Sequence, residues 1–201
     1  MTEFYENMLR HEQQGEGYLE LILGPMFSGK TTQIIQIYNN YTYIGKKVAV
    51  INFAEDTRYH DTMLSTHDRK MIPCILSDNI VDNWTNPENK HYTEINAADV
   101  ILINEGQFFK GLKEIVLNMV EQQNKIVYIC GLDGDFKREK FGQMLELIPY
   151  CDKVSKLTSL CSQCRNGKKA LFSSRVSNET EQVVIGSDNY KPLCRTCYLQ
   201  R

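Results

Sequence analysis

The chain has 201 residues, 42% of them hydrophobic, enough to bury a full core in one main domain with an appendage. Its 23 basic and 25 acidic residues leave a formal charge of −2, so no broad basic surface advertises a nucleic-acid or membrane partner, and small anionic ligands fit better. No apolar run reaches membrane-spanning length, MTEFYENMLRHEQQGEG lacks the layout of a secretion signal, and seven cysteines in a chain of this kind do not read as a disulfide framework; a cytoplasmic protein is expected.

Residues 1–15 are polar and aperiodic and read as a loose arm. YLELIL (18–23) predicts a buried strand, and after a glycine loop Ile34, Ile37, Tyr38, Tyr41 and Ile44 recur at helical spacing until Gly45, where a helix would end. KVAVINF (47–53), DVILIN (99–104) and KIVYICGL (125–132) predict three more buried strands. Between the last two, Leu112, Ile115, Val116, Met119 and Val120 mark an amphipathic helix. Residues 77–97, polar and holding the single Trp, suggest no chemistry. The alternation implies an α/β domain over 16–150, with a largely parallel sheet, flanking helices and ligands at the carboxyl ends of the strands. From about Tyr150 the alternation stops. KLTSLCSQC, KALFSSRV and EQVVIGS read as short extended segments of a smaller module over 151–201.

GPMFSGKT (24–31) fits G-x-x-x-x-G-K-[ST], between a strand and a helix as the pattern requires. Gly24, Pro25, Met26, Phe27, Ser28, Gly29, Lys30, Thr31 and Thr32 are therefore expected to hold a nucleoside triphosphate, backbone N–H groups curling around the β-phosphate. Lys30 would bridge β- and γ-oxygens, and the Thr31 hydroxyl would face Mg²⁺. Such a loop needs a second element, an apolar strand ending in a carboxylate. VILIN followed by Glu105 supplies it, with Glu105 placed to take a proton from an attacking hydroxyl or to orient a water, and Asn104 as an uncharged companion to the metal. EDTRY (55–59) brings Asp56 and Arg58 to the same side, where an arginine neutralises transferring charge.

Cys161-x-x-Cys164 and Cys194-x-x-Cys197 make a Cys₄ set suited to a closed, structural Zn²⁺ site that ties together the ends of a long excursion. Cys74, Cys130 and Cys151 read as small buried thiols. Phe108, Phe109, Phe136, Phe141 and Tyr190 fall beyond strand ends or in loops, where a planar ligand stacks.

GPMFSGKT, DTRY, THDR, EGQFF, LDG-x-F…FG, KLT-x-x-C-x-x-C and VIG…Y-x-x-x-C-R-x-C-Y together resemble the type II thymidine kinases, the cytosolic, bacterial and large-DNA-virus kind, collinearly from about Gly17 to Tyr198. The resemblance implies an ATP:thymidine 5′-phosphotransferase fold and activity, with a zinc-tied lasso closing over the base. By that likeness Glu105 is the general base, and Lys30, Thr31, Asp56 and Arg58 are the phosphate and metal apparatus. Met26, Phe108, Leu132, Phe136 and Phe141 match the thymine pocket, while Ser173, Val184, Ile185, Gly186 and Tyr190 match the lasso positions that hold the nucleoside. The resemblance also implies a homotetramer and inhibition by dTTP. Two departures stand out: Asn104 where the family usually has aspartate, expected to weaken Mg²⁺ binding without removing the base, and IGSDNY, one residue shorter than the family's lasso tip. The rival readings are a zinc-containing P-loop ATPase acting on nucleic acid, which the charge balance disfavours, and a non-catalytic nucleotide-binding relative, which the retention of Lys30, Thr31, Arg58 and Glu105 disfavours.

Overall fold

The structure, a computed structural model, describes residues 15–54, 63–66, 70–184 and 186–201. In chain order it runs β1 (Tyr18–Leu23), α1 (Lys30–Tyr43), β2 (Val48–Phe53), β3 (Met63–Ser65), β4 (Met71–Pro73), β5 (Ile75–Ser77), α2 (Ile80–Thr85), α3 (Tyr92–Ala97) and β6 (Val100–Asn104). A 3₁₀ turn (Gly106–Phe108), α4 (Leu112–Leu117), a π-helical turn (Asn118–Gln122), β7 (Ile126–Gly131) and a 3₁₀ segment (Met144–Tyr150) follow. The chain closes with β8 (Lys153–Lys156), β9 (Ser159–Leu160), β10 (Lys169–Ala170), β11 (Phe172–Arg175), β12 (Tyr190–Leu193) and α5 (Arg195–Leu199).

Among the described residues six strands form one sheet in the order β5-β2-β6-β7-β1-β8, every pairing parallel. All four expected strands are its centre, because each is apolar on both faces and only a sheet covered on both sides hides such a run from water. One face packs Leu19, Leu21, Ile101, Ile103, Val127 and Ile129 against α2, α3, α4 and the 3₁₀ segment. The other packs Ile22, Val50, Leu102 and Tyr128 against Ile34, Ile37 and Tyr41 of α1. Helix α1 ends at Gly45 as expected, with that residue at φ 81°.

Four differences have physical causes. The helix beginning at Leu112 widens into a π turn after Leu117. Met119 and Val120 stay buried there while Asn118 accepts from the Trp84 indole N–H at 2.8 Å. Residues 77–97 are structured: their helices are six residues long, too short for a visible period, and Asn79 caps the first by accepting from Asp82 N–H. β8 lies past residue 150 and still extends the main sheet. KVSK carries no apolar signal, and what joins it to β1 is polar: Ser155 Oγ donates to Glu20 Oε1 (2.6 Å), and Tyr18 donates to Oε2 (3.0 Å). Burial and that carboxylate push the Tyr18 phenol far above its usual range. EQVVIGS pairs with no strand over 181–184; β11 pairs instead with β12.

β9 to α5 build the small module around Cys161, Ala170, Leu193, Cys194, Cys197 and Tyr198. The link from β8 to this module meets the phosphate loop directly. Leu157 N donates to the Leu23 carbonyl (2.7 Å), and a Cβ on Gly24 would sit 2.8 Å from the Leu157 carbonyl oxygen, so only glycine lets the loop turn here.

Candidate active site

At the carboxyl ends of β1, β2, β6 and β7 a cavity of about 1070 Å³, including its open mouth, runs from the start of α1 to the lasso. One wall of it is the loop Met26 to Thr32, the stretch expected to hold a triphosphate. Helix α1 follows Gly29 as N-cap with no side-chain cap, so no capping side chain takes its first N–H groups, where the positive end of its dipole favours an anion. Lys30 is buried, and its ammonium donates to the carbonyls of Gly24 (3.0 Å) and Pro25 (2.8 Å), held close to where phosphate oxygens would lie. Thr31 lines the same wall.

Glu105 lines the cavity from the residue after β6, in a left-handed conformation (φ 55°) that turns the chain sharply into the next 3₁₀ turn. Its carboxylate is held from behind. Gln107, 3% exposed, donates from Nε2 to Glu105 Oε2 (2.6 Å) and accepts the Leu132 N–H on Oε1 (3.0 Å). That bridge fixes which end of the amide is which. Sequence reasoning gave Gln107 no role. The signal available was only its place within EGQFF, because the bond that matters reaches 25 residues ahead to Leu132.

The far end is aromatic. Phe108 stacks on Phe53 with centroids 4.8 Å apart and meets Phe141 edge-on at 5.3 Å; Leu132, Phe136, Ser173, Val184, Gly186 and Tyr190 complete it with Met26. Ser173 accepts the Met26 N–H on Oγ (2.9 Å), joining lasso to phosphate loop. Phe53, Thr66, Asp135, Gln182 and Val183 also line the cavity and were not foreseen. Phe109 is buried in the core.

Asn104 sits elsewhere than the cavity wall. It is 1% exposed, its amide nitrogen donating to Asn52 Oδ1 (2.7 Å) on β2 and its oxygen accepting from the Cys130 thiol (2.8 Å) on β7. Asp56, Arg58 and Ile185 lie outside the described residues, as do all of DTRY and all of THDR but Thr66.

The four paired cysteines converge: their sulfurs all lie within 4.8 Å of one another. Burial opposes ionisation of Cys161, yet backbone N–H groups of Cys194, Cys164 and Gln163 outweigh it and hold that thiol down at about 6. Burial and the neighbouring Cys194, Cys161 and Cys164 sulfurs push Cys197 up to about 12. Four thiols that cannot all ionise together unaided fit a tetrahedral dication that neutralises them.

A family model for thymidine kinase matches residues 17–198. The chain belongs to the thymidine kinase family. Thymidine kinase a of Arabidopsis thaliana is 39% identical over 189 residues, 94% of this chain and 77% of the relative. The thymidine kinase of Sheeppox virus (strain KS-1) is 38% identical over 90% of this chain and 97% of its own, and the cytosolic thymidine kinase of Bos taurus 37% identical over 92% and 73%. In this member of the thymidine kinase family the phosphate loop, Glu105 and the aromatic end thus share one continuous cavity.

Proposed function

We propose that the protein is a thymidine kinase, transferring the γ-phosphoryl of ATP to the 5′-hydroxyl of thymidine to give dTMP. The observation that carries this is one cavity lined together by an uncapped helix start, the Glu105 carboxylate and an aromatic group of Phe108, Phe136 and Tyr190. In this reading the triphosphate lies along Gly29 to Thr32 and the pyrimidine among those aromatics, with Glu105 serving the bond that forms between them.

In the reaction the 5′-oxygen forms a bond to the γ-phosphorus as the bond to the bridging oxygen breaks, ADP leaves, and the hydroxyl proton passes to Glu105. The protein's share is alignment and positive charge around the equatorial oxygens, from loop N–H groups and Lys30, with Arg58 as a further cation and Asp56 in the metal apparatus by the family likeness. Lys30 exchanges its carbonyl partners for phosphate oxygens when the triphosphate enters. Thr31 fits Mg²⁺, which when bound neutralises phosphate charge; Asn104, enclosed in the sheet, acts from behind through the strand end that carries Glu105. Cys161, Cys164, Cys194 and Cys197 fit Zn²⁺, which when bound ties the lasso's two ends. The remaining parts of the reading rest on the family likeness: deoxyuridine as a second substrate, dTTP as inhibitor and a cytoplasmic homotetramer. The division into an arm (1–15), a P-loop domain (16–150) and a lasso module (151–201) shifts at its last boundary, because β8 belongs to the main sheet and the small module starts after it.

The deciding assay offers the protein ATP, Mg²⁺ and each nucleoside in turn. Thymidine monophosphate is the expected product. ATP hydrolysis stimulated by polynucleotide without nucleoside would favour the ATPase reading instead.

A further inference from the structure

Arg175, at the end of β11, is a buried cation, 8% exposed, whose two terminal nitrogens donate to the 179–182 loop and to Tyr190 on β12, while its Nε meets no hydrogen-bond partner among the described residues. Nη1 donates to the carbonyls of Glu179 (3.0 Å) and Glu181; Nη2 donates to the Gln182 carbonyl (3.1 Å) and to the Tyr190 hydroxyl (2.5 Å). That hydroxyl donates onward to the Val184 carbonyl (3.1 Å). The guanidinium lies over the Phe136 ring, 3.8 Å from its centroid. Gln182 anchors the loop a second time, its side-chain amide donating to Asp135 Oδ2 (2.9 Å) and to the Lys140 carbonyl (3.2 Å).

Residues 176–182 form no strand or helix, and VSNETEQ offers almost nothing apolar to hold it down. The loop's shape comes from outside it. A planar fork with five donors satisfies several carbonyls and a ring face at once; a point charge on a flexible stem does not. Phe136, Gln182, Val184 and Tyr190, all tied to this fork directly or through one atom, line the aromatic end of the cavity, while the phosphate loop is not among its partners.

We propose that Arg175 is a positioning residue for the nucleoside: by moulding 179–184 against Phe136 and Tyr190 it sets the affinity for the nucleoside and leaves the triphosphate end alone. This deepens, and rests on, the nucleoside-kinase reading. The test compares wild type with Arg175→Lys and Arg175→Met in KM for thymidine, KM for ATP and kcat, with zinc content and ligand-free hydrogen exchange of the 176–184 amides measured on the same samples. Expected for both variants are a thymidine KM raised about ten- to a hundredfold, the worth of lost charge-assisted bonds, ATP KM and kcat within about twofold, unchanged zinc, and faster exchange confined to 176–184. Should Arg175→Met fail to fold, Arg175→Lys carries the comparison alone. An unchanged thymidine KM overturns the proposal, as does an equal rise in both KM values with exchange quickened throughout the chain. Wild-type protein that phosphorylates no nucleoside overturns the kinase reading instead, and hydrogen exchange still decides whether Arg175 holds the loop.

Discussion

At the scale of single residues the proposed reaction rests on Glu105 as base and on what holds its carboxylate. Glu105→Gln keeps the shape and removes the base, so turnover should drop by about two to four powers of ten while ATP still binds. Unchanged turnover would remove Glu105 from that role. Gln107→Met fills the same space without bonds to Glu105 Oε2 or Leu132 N–H. Its kcat is expected to fall about ten- to a hundredfold with ATP affinity intact, since a loosened carboxylate loses alignment. Asn104 makes a different demand. In Asn104→Asp a carboxyl enters a slot between Asn52 and Cys130 that the amide fills with both ends bonded. Burial raises the pKa of such a carboxyl in the folded state, so the variant matches wild type at low pH. The loss sets in above the unfolded carboxyl's pKa of about 3.9 and grows with pH until the buried group ionises. Urea unfolding should show about 1–3 kcal/mol lost at pH 7; a pH-independent difference would contradict the buried-slot account. The place of Glu105 was legible because an apolar strand ending in an acid is a local pattern. The surroundings of Asn104 and Gln107 were not, since their partners come from neighbouring strands at separations that no spacing rule reaches.

Among elements, the central strands announce themselves and the edge does not. YLELIL, VILIN and KIVYICGL are uniformly apolar, as strands covered on both faces must be. KVSK joins through a buried Glu20 and a serine hydroxyl, a match of two polar groups invisible in either segment alone. The turn behind the aromatic end is equally specific. Gly142 has φ +59°, and a Cβ there would lie 2.1 Å from the Gln107 carbonyl oxygen. Gly142→Ala should therefore destabilise by more than about 2 kcal/mol and disturb Phe108 and Phe141 along with it; a thermal midpoint equal to wild type would show the turn to be slack. The cysteine pairs were readable from spacing, whereas the loop that they bracket was not, its form being imposed by Arg175. Cys197→Ser, or a chelator that strips the proposed Zn²⁺, is expected to abolish thymidine binding while a fluorescent ATP analogue still binds the phosphate loop. Equal loss of both ligands would mean that the module supports the whole fold.

For the molecule as a whole, the near-balanced charge predicts that polynucleotide leaves ATP turnover unaltered at moderate salt; stimulation would reopen the nucleic-acid reading. The two ends of the cavity belong to separate stretches of chain, yet they are fastened together at Gly24 against Leu157 and at Met26 N–H on Ser173. Ordering one end therefore lowers the entropy that remains to be lost at the other. The two substrates should bind synergistically, ATP tightening thymidine by the same factor as thymidine tightens ATP, a reciprocity that paired calorimetric titrations with a non-hydrolysable analogue measure directly.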